Sequence, residues 1–343
     1  KLDFMKIPFF NYPAVYESYK SDFKKILDDV GSRGAFIMQN DLVKFENEIA
    51  LYSGSNFAVG VGNATDALEM LVSVAGIKRD DEVIISSHTM IATASAITAN
   101  GAKAIPVDCG PDHLIDPQSI ENAITNNTKC IMPTQLNGRT ANMDEISNIA
   151  KKHSLKIIED SAQALGSKFK EKNAGTFGLG GCISFYPAKV LGCLGDGGII
   201  LCKDKKIYDK LIMMRDHGRD PVSGDVLLWG RNSRLDNIQA AFLSHQFKDY
   251  ENVVLRRREI AGLYHERLAG ISQIVLPPNV NSQQDHYDIY QNYEIEARKR
   301  DELKAFLFEN GIGTLIQWGG KGVHQFKELG YTDSLIYSEK IFN

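Results

Sequence analysis

Short apolar runs alternate with helical patterns between about residues 55 and 205, and this alternation constrains the fold more than any other feature. The helical patterns cover residues 65–74, 91–100 and 143–153. Strands separated by helices of this length are typical of a mostly parallel sheet covered by helices on both faces. We therefore predict an α/β fold with a mostly parallel mixed sheet. Its strands are predicted at AVGVG (58–62), EVIIS (82–86), AKAIPVD (102–108), KCIMPT (129–134), LKIIED (155–160), GCISFY (181–186) and GGIILC (197–202).

The segments on either side of this alternation have a different character. One long helical pattern covers residues 234–268, followed by a predicted strand at 288–297 and a helix at 300–310. We predict a helical segment packing on the small domain, a large domain, and a smaller α+β domain that lacks its last element. These three parts are residues 1–50, 51–240 and 241–343.

Composition excludes several classes of protein. The formal net charge of −4 does not favour a broad nucleic-acid surface, and no apolar run approaches the length of a membrane span. The five cysteines contain no CxxC pair, so a disulfide framework or a zinc site is not expected. We expect a cytoplasmic protein with neither a membrane nor a nucleic acid as partner.

The segment GVGNATDALEML (60–71) places glycines between a predicted strand and a helix. Free N–H groups and the helix dipole at such a junction favour a phosphate. Thr65 could cap the helix or contact the phosphate. The pair Gly60 and Gly62 also suggests dinucleotide binding, but the third glycine of that fingerprint is replaced by Thr65. Phosphate site, dinucleotide site and simple turn remain open from this segment alone.

Asp160 follows the apolar strand KIIE, at the end of the sheet that lines the ligand crevice in open α/β folds. A carboxylate there could hold a protonated ring nitrogen, as pyridoxal 5'-phosphate (PLP) chemistry requires, and Gln163 could reach the same ligand. A helix cap is the alternative interpretation of Asp160.

Lys189 lies in a loop between two strands, where a lysine is usually a solvated charge. Its neighbours Phe185 and Val190 are apolar, and a desolvated amine has a lowered pKa that suits proton transfer. Ser184, five residues earlier, could offer a hydroxyl to a phosphate.

Five ordered motifs together resemble the sugar aminotransferases of the DegT/DnrJ/EryC1/StrS family, over about residues 7–331. The resemblance implies the fold-type I PLP architecture and PLP as cofactor. The motifs are NATDAL (63–68), TMIATASAI (89–97), EDSAQALG (159–166), SFYPAKVLGCLGDGG (184–198) and RNSRLDNIQAA (231–241).

The resemblance also implies residue roles. Lys189 matches the lysine that binds PLP covalently and moves the proton, and Asp160 matches the partner of the pyridine nitrogen. Gln163 matches the residue beside the ring face and ring hydroxyl. The phosphate residues are Ala64, Thr65, Ser184, and Asn232 from the other subunit. Each active site would then be shared within a homodimer.

Three positions depart from the family pattern. In the family an aromatic residue often stacks on the pyridine ring at the position of Met90. Here Met90 or His88 would have to cover that face of the ring. Alternatively, His88 is a packed residue of the turn. A His-Tyr pair becomes Gln317-Trp318, and Ser233 replaces a tyrosine. We expect these changes to affect the choice of substrate. The predicted substrate residues are Tyr186, Gln317, Trp318, Lys321 and His324.

The resemblance implies transfer of an amino group from an amino acid, L-glutamate by expectation, to a C3 or C4 keto group of a nucleotide-linked deoxy sugar. Such products serve polysaccharide or O-antigen biosynthesis. Two alternatives stay open: a PLP-fold sensor without turnover, and a sugar dehydratase, which carries histidine in place of Lys189.

Overall fold

A seven-stranded sheet forms the centre of the computed structural model, which describes residues 7–342. The strand order is β1-β9-β8-β5-β4-β2-β3, with β9 antiparallel to both neighbours and the other neighbouring pairs parallel. This confirms the predicted mostly parallel mixed sheet. The strands are β1 Phe57–Val61, β2 Glu82–Ser86, β3 Lys103–Val107, β4 Thr128–Met132, β5 Lys156–Asp160, β8 Gly180–Ser184 and β9 Gly198–Cys202.

Helices cover both faces of the sheet because successive strand residues point to opposite sides. In β2, Val83 and Ile85 enter the core beneath α3 and α4, whereas Ile84 enters a second core on the opposite face. The helices in chain order are α1 Tyr12–Arg33, α2 Asn40–Ser53, α3 Ala64–Val74, α4 Ile91–Thr98, α5 Pro117–Ala123, α6 Met143–Lys152, α7 Lys205–Arg215, α8 Asn237–Phe247, α9 Tyr250–Leu268, α10 Arg300–Glu309 and α11 Ile336–Phe342. No helix within residues 7–342 has the length and apolar composition to cross a bilayer.

Helix α2 does not pack on the small domain, contrary to our expectation for residues 1–50. Leu42, Phe45 and Ile49 form an apolar stripe that joins β1, β8 and β9 in one core. The loop between α2 and β1 is only three residues long, so this stripe meets the large sheet instead of the small domain. Residues 1–6 lie outside the described residues, and the domain bounds themselves stay a prediction.

Two predicted elements of the C-terminal part are wrong in extent. The helical pattern over 234–268 forms two helices, α8 and α9, and the strand predicted at 288–297 is not continuous. Tyr290 adopts a left-handed φ of 50°, which interrupts an extended chain. The minor strands that form in place of it pair in two small sheets: β11 His286–Tyr287 with β6 Lys168–Phe169, which also pairs with β7 Lys172–Asn173, and β10 Ile274–Val275 with β12 Glu296–Ala297.

Candidate active site

The predicted site residues gather at one edge of the sheet, where the parallel strands have their carboxyl ends. Asp160 ends β5, Ser184 ends β8, and Lys189 follows in the loop after β8. The first turn of α3 begins just after β1 at the same edge. In open α/β sheets this edge forms the ligand crevice.

Asp160 is held by a chain of buried hydroxyls. Thr93 Oγ1 donates to Asp160 Oδ2 at 2.6 Å, Thr89 contacts Thr93 at 2.8 Å, and Thr134 contacts Thr89 at the same distance. The other oxygen, Oδ1, accepts from the Ala162 N–H at 3.2 Å and lies 3.6 Å from Cys182 Sγ. Asp160 therefore has a fixed orientation, with no role as a helix cap.

Lys189 is partly buried, and burial lowers the pKa of its amine. The charges of Asp160 and Cys182 act in the opposite direction but are outweighed. An amine with a lowered pKa is unprotonated in a larger fraction of molecules, which suits both nucleophilic attack and proton transfer. This environment agrees with the interpretation of Lys189 as more than a solvated loop charge.

The N-terminus of α3 offers an anion site. Asn63, and not Thr65, caps the helix, since its side chain accepts from the Asp66 N–H at 2.8 Å. The N–H groups of Ala64 and Thr65 lie in the first turn, where no helical carbonyl can accept them. A Cβ at Gly198 would lie 2.6 Å from the Asn63 carbonyl carbon and 2.8 Å from Ala64 N. Glycine at position 198 therefore lets β9 approach this turn.

Asn232 is exposed, next to a residue that fixes the glycine loop. Ser233, where the family often has tyrosine, is buried, and its Oγ accepts from the Gly62 N–H at 3.1 Å. Ser233 thus holds the glycine loop from within, and Asn232 lies on the exposed surface.

His88 and Met90 are placed differently. The His88 ring is wholly buried; it contacts Glu294 at 3.1 Å and packs edge-on against Phe342 with ring centroids 5.0 Å apart. Met90 is 51% exposed at the start of α4. The packed alternative for His88 fits this placement, and Met90 is the better candidate for the ring face.

Gln163 is oriented by its neighbour across the loops. Its Oε1 accepts from the backbone N–H of Asn137 at 2.8 Å, so that its Nε2 group is left to donate elsewhere. Asn137 lies in a single turn after β4, with a left-handed φ of 57°.

The segment predicted to contact substrate has two parts. Gln317 Nε2 donates to Asn137 Oδ1 at 2.5 Å, and half-buried Trp318 has a left-handed φ of 53°. Lys321 and Tyr186 are exposed, whereas His324 is buried with its Nδ1 2.5 Å from Ser87 Oγ. A direct substrate contact by His324 finds no support in this placement, because the ring packs behind the loop.

This donor set fits PLP. A fixed carboxylate suits the ring nitrogen, an amine of lowered pKa suits the aldehyde, and a helix N-terminus with the hydroxyl of Ser184 suits the phosphate. Each group stands at the same edge of the sheet on a regular element or just after one.

Sequence reasoning missed three contributors to the site. Thr93 holds Asp160, Asn137 holds Gln163, and Glu294 joins His88 to the C-terminal segment. Asn137 follows an apolar strand by only a few residues, which is a signal that could have marked it. Nothing in the local pattern distinguishes Glu294 from an ordinary surface carboxylate.

Comparison with known proteins adds independent findings. The sequence model of the DegT/DnrJ/EryC1/StrS aminotransferase family matches residues 17–341. A pleiotropic regulatory protein of Geobacillus stearothermophilus is 39% identical over 92% of this chain and 84% of its own length. The dTDP-3-amino-3,4,6-trideoxy-alpha-D-glucose transaminase of Streptomyces venezuelae is 36% identical over 91% of this chain and 82% of its own.

Solved structures agree with the fold. DesV of S. venezuelae superposes with a TM-score of 0.92 at 33% sequence identity, covering 98% of this chain and 91% of DesV. The sheet, the site edge and the C-terminal part of this chain are therefore similar to those of a structurally characterised relative.

Proposed function

The chain belongs to the DegT/DnrJ/EryC1/StrS aminotransferase family, and we propose that it transfers an amino group from L-glutamate to the C3 or C4 keto group of a nucleotide-linked deoxy sugar. It is a PLP-dependent aminotransferase acting on nucleotide-linked keto-sugars. The observation that carries the assignment is the placement of Lys189, a partly buried amine, at the same edge of the sheet as the fixed carboxylate of Asp160.

PLP, when bound, supplies an electron sink that stabilises negative charge on the carbon bearing the amino group. Asp160 would keep a positive charge on the ring nitrogen favourable, and Thr93 fixes the direction of its carboxylate. The first turn of α3 and the hydroxyl of Ser184 would hold the phosphate. Gln163, whose Oε1 accepts from Asn137, would donate its amide N–H groups to the ring.

Lys189 Nζ moves the proton. Its lowered pKa would leave the amine free to take the proton from the α-carbon of the amino donor and pass it to the bound cofactor, and, in the second half-reaction, to carry a proton from the cofactor to the sugar carbon. Histidine at this position would favour the dehydratase alternative, so Lys189 supports transamination.

We assign the substrate contacts to the exposed and half-buried members of the predicted set, and we leave out His324 because it is buried. Tyr186 and Met90 are half-exposed, and Lys321 offers a free positive charge for the diphosphate of the nucleotide. Gln317 and Trp318 stand where the family often has His-Tyr, so we assign the choice of sugar to them. The products would serve polysaccharide or O-antigen biosynthesis.

A homodimer with shared sites is part of the proposal. Asn232 is exposed close to large exposed apolar side chains, among them Trp229 (97% exposed) and Leu227. Such a surface is typical of one covered by a second chain. We also propose a cytoplasmic location, to which five buried cysteines, none of them in a disulfide, are suited.

The reaction is tested with ¹⁵N-glutamate, PLP and a panel of dTDP-, UDP- and GDP-linked 3- and 4-keto sugars. Mass spectrometry should find nitrogen in one sugar product. No nitrogen transfer to any sugar, together with no conversion of the bound cofactor by glutamate, would contradict the proposal.

Sharing of the sites is tested by co-expressing Lys189→Ala with Asn232→Ala. A mixed dimer regains one intact site if Asn232 acts across the interface, so that activity exceeds that of either variant alone. Activity no greater than the mean of the two variants would rule out shared sites.

A regulatory role without turnover is the second candidate, because the 39% identical relative is described as a pleiotropic regulatory protein. Glutamate separates the two functions. An enzyme converts its bound PLP to the amine form and gives 2-oxoglutarate, whereas a sensor binds PLP without this conversion.

A further inference from the structure

Left-handed backbone recurs at the seam between the large domain and the C-terminal segment. Within residues 7–342, eleven non-glycine residues have positive φ, and four of them meet at this seam: His113 (65°), Asn137 (57°), Tyr290 (50°) and Trp318 (53°). Asparagine and histidine adopt this conformation more readily than most residues, whereas tyrosine and tryptophan rarely do so and must be held there by the surrounding structure. A cavity of about 40 Å³ lies between His113, Asn137 and Tyr290.

Asn137 is the centre of the contacts across this seam. Its Nδ2 donates to Glu294 Oε2 at 2.6 Å, and its Oδ1 accepts from Gln317 at 2.5 Å and from Asn292 at 3.0 Å. One side chain of the large domain thus binds three residues from two separate stretches of the C-terminal segment.

Glu294 is the charged acceptor in this group of contacts. His113 Nδ1 lies 2.8 Å from Oε2, and His88 Nε2 lies 3.1 Å from Oε1. Burial raises the pKa of Glu294, but the charge of His88 and the hydrogen bonds of both histidines outweigh it and hold that pKa well below its usual range. A carboxylate with three donors, two of them imidazoles, has a fixed position.

The same residue, Asn137, reaches the cofactor side through its backbone. Its N–H donates to Gln163 Oε1 at 2.8 Å, and Gln163 is the residue assigned to the ring face and ring hydroxyl. The left-handed backbone of Asn137 places its side chain toward the C-terminal segment while its N–H faces Gln163. The amide side chain and the N–H belong to one residue, so contacts that hold the side chain also restrain the backbone that carries the N–H.

We propose that Asn137 is a positioning residue: through its contacts with Glu294, Asn292 and Gln317 it fixes the N–H that orients Gln163 against the cofactor ring. The proposal rests on the proposed function for the role of Gln163. Seating of the C-terminal segment on Glu294 thereby determines how Gln163 meets the ring. Asn137 itself is not assigned a contact with substrate.

Asn137→Gly is the decisive variant. Glycine adopts the left-handed backbone without strain and keeps the N–H, but it removes all three side-chain contacts. We expect the visible circular dichroism of bound PLP to change without substrate, kcat to fall roughly tenfold or more because of misorientation, and PLP affinity to stay near wild type. Asp80→Gly is the matched control: this residue is also left-handed (φ 69°) but lies before β2, at the opposite edge of the sheet.

Two further variants separate positioning from folding. Glu294→Gln keeps an acceptor for Asn137 and should retain more of the wild-type dichroism than Glu294→Ala. In a double-mutant cycle, Gln163→Ala combined with Asn137→Gly should cost less than the product of the single effects, because both variants remove one function.

The outcomes are distinct. Wild-type dichroism and kcat in Asn137→Gly, or fully multiplicative effects in the cycle, overturn the proposal. A lowered unfolding temperature with unchanged dichroism also overturns it, since that result indicates a structural role alone. Failure of the proposed function would appear in the wild type as an absence of glutamate-driven conversion, whereas the dichroism of bound PLP can be read without turnover.

Discussion

The edge of the large sheet and the seam around Asn137 contribute to one site but are built in opposite ways. At the sheet edge, Asp160, Ser184 and Lys189 stand at the ends of regular strands or just after them. At the seam, the backbone is left-handed at four non-glycine residues, and the contacts join residues more than 150 positions apart, such as Asn137 with Glu294 and Gln317. The reactive groups therefore lie on rigid local elements, whereas their orientation depends on contacts between residues distant in the chain.

The largest effect is expected at the sheet edge, from Lys189→Ala. Loss of proton transfer alone lowers the rate by roughly 10²- to 10⁴-fold, and loss of the covalent link adds to this. The visible absorbance band of PLP linked to Lys189, which borohydride should remove from the wild type, should also be absent from the variant. Lys206→Ala, at an exposed lysine of α7, is the control. A variant that still transaminates would remove Lys189 from the mechanism.

The phosphate turn is tested by Gly198→Ala. The new methyl would lie within 3 Å of Asn63 and Ala64 backbone atoms, which cannot turn away as a side chain can. We expect a loss of about 3 kcal/mol in the free energy of unfolding and weaker binding of PLP, measured by denaturation and cofactor titration. Gly262→Ala is the control, since nothing lies within 4 Å of its Cβ in α9. Unchanged PLP affinity would show that the turn does not hold the phosphate.

Support of Asp160 is tested by Thr93→Val, which keeps the shape of the side chain and removes its hydroxyl. One carboxylate oxygen loses its donor, and the cost is about 1–3 kcal/mol with a change in the pH titration of the cofactor absorbance. Thr93→Ser should restore both properties. If valine and serine behave alike, the hydroxyl does not position Asp160.

A substitution at the seam should have the smallest effect on the free energy of unfolding, and that effect should depend on pH. Burial lowers the pKa of His113, but its contacts with Glu294 and Glu296 outweigh burial and raise that pKa above its ordinary value. The contribution of protonated His113 to the free energy of unfolding is therefore complete below about pH 6.5, the ordinary histidine value. It is lost as pH rises through the raised pKa. The lowered pKa of Glu294 acts at the acid end: its contribution is lost as pH falls through that pKa.

Unfolding free energies of wild type and His113→Gln should therefore differ by about 1.5 kcal/mol near pH 6 and converge at alkaline pH. Glu294 and Glu296 titrate in the same cluster, so the difference between the two pH profiles is the quantity to compare. His153→Gln, at a more exposed pair with Glu121, should give a smaller difference. A difference that grows with pH would show that His113 is not held protonated by the seam.

The sequence alone predicted the sheet and the bounds of four helices, α3, α4, α6 and α10, to within about two residues. These predictions follow from periodicity, whereas the roles of the residues at the sheet edge came from the family resemblance. Hydrophobic burial acts on local patterns, so the strand ending at Asp160 and the helix beginning at Ala64 were predictable within a residue or two.

Only the tertiary structure decided the seam, the packing of α2 on the large sheet, and the burial of His88 and His324. Left-handed φ at Tyr290 broke the strand predicted at 288–297, because contacts distant in sequence outweighed the local preference for an extended chain. Glu294 has the local sequence of an exposed carboxylate and becomes a fixed anion only when His88 and His113 close on it. Such positions depend on which loops come into contact, and no local pattern in the sequence indicates that contact.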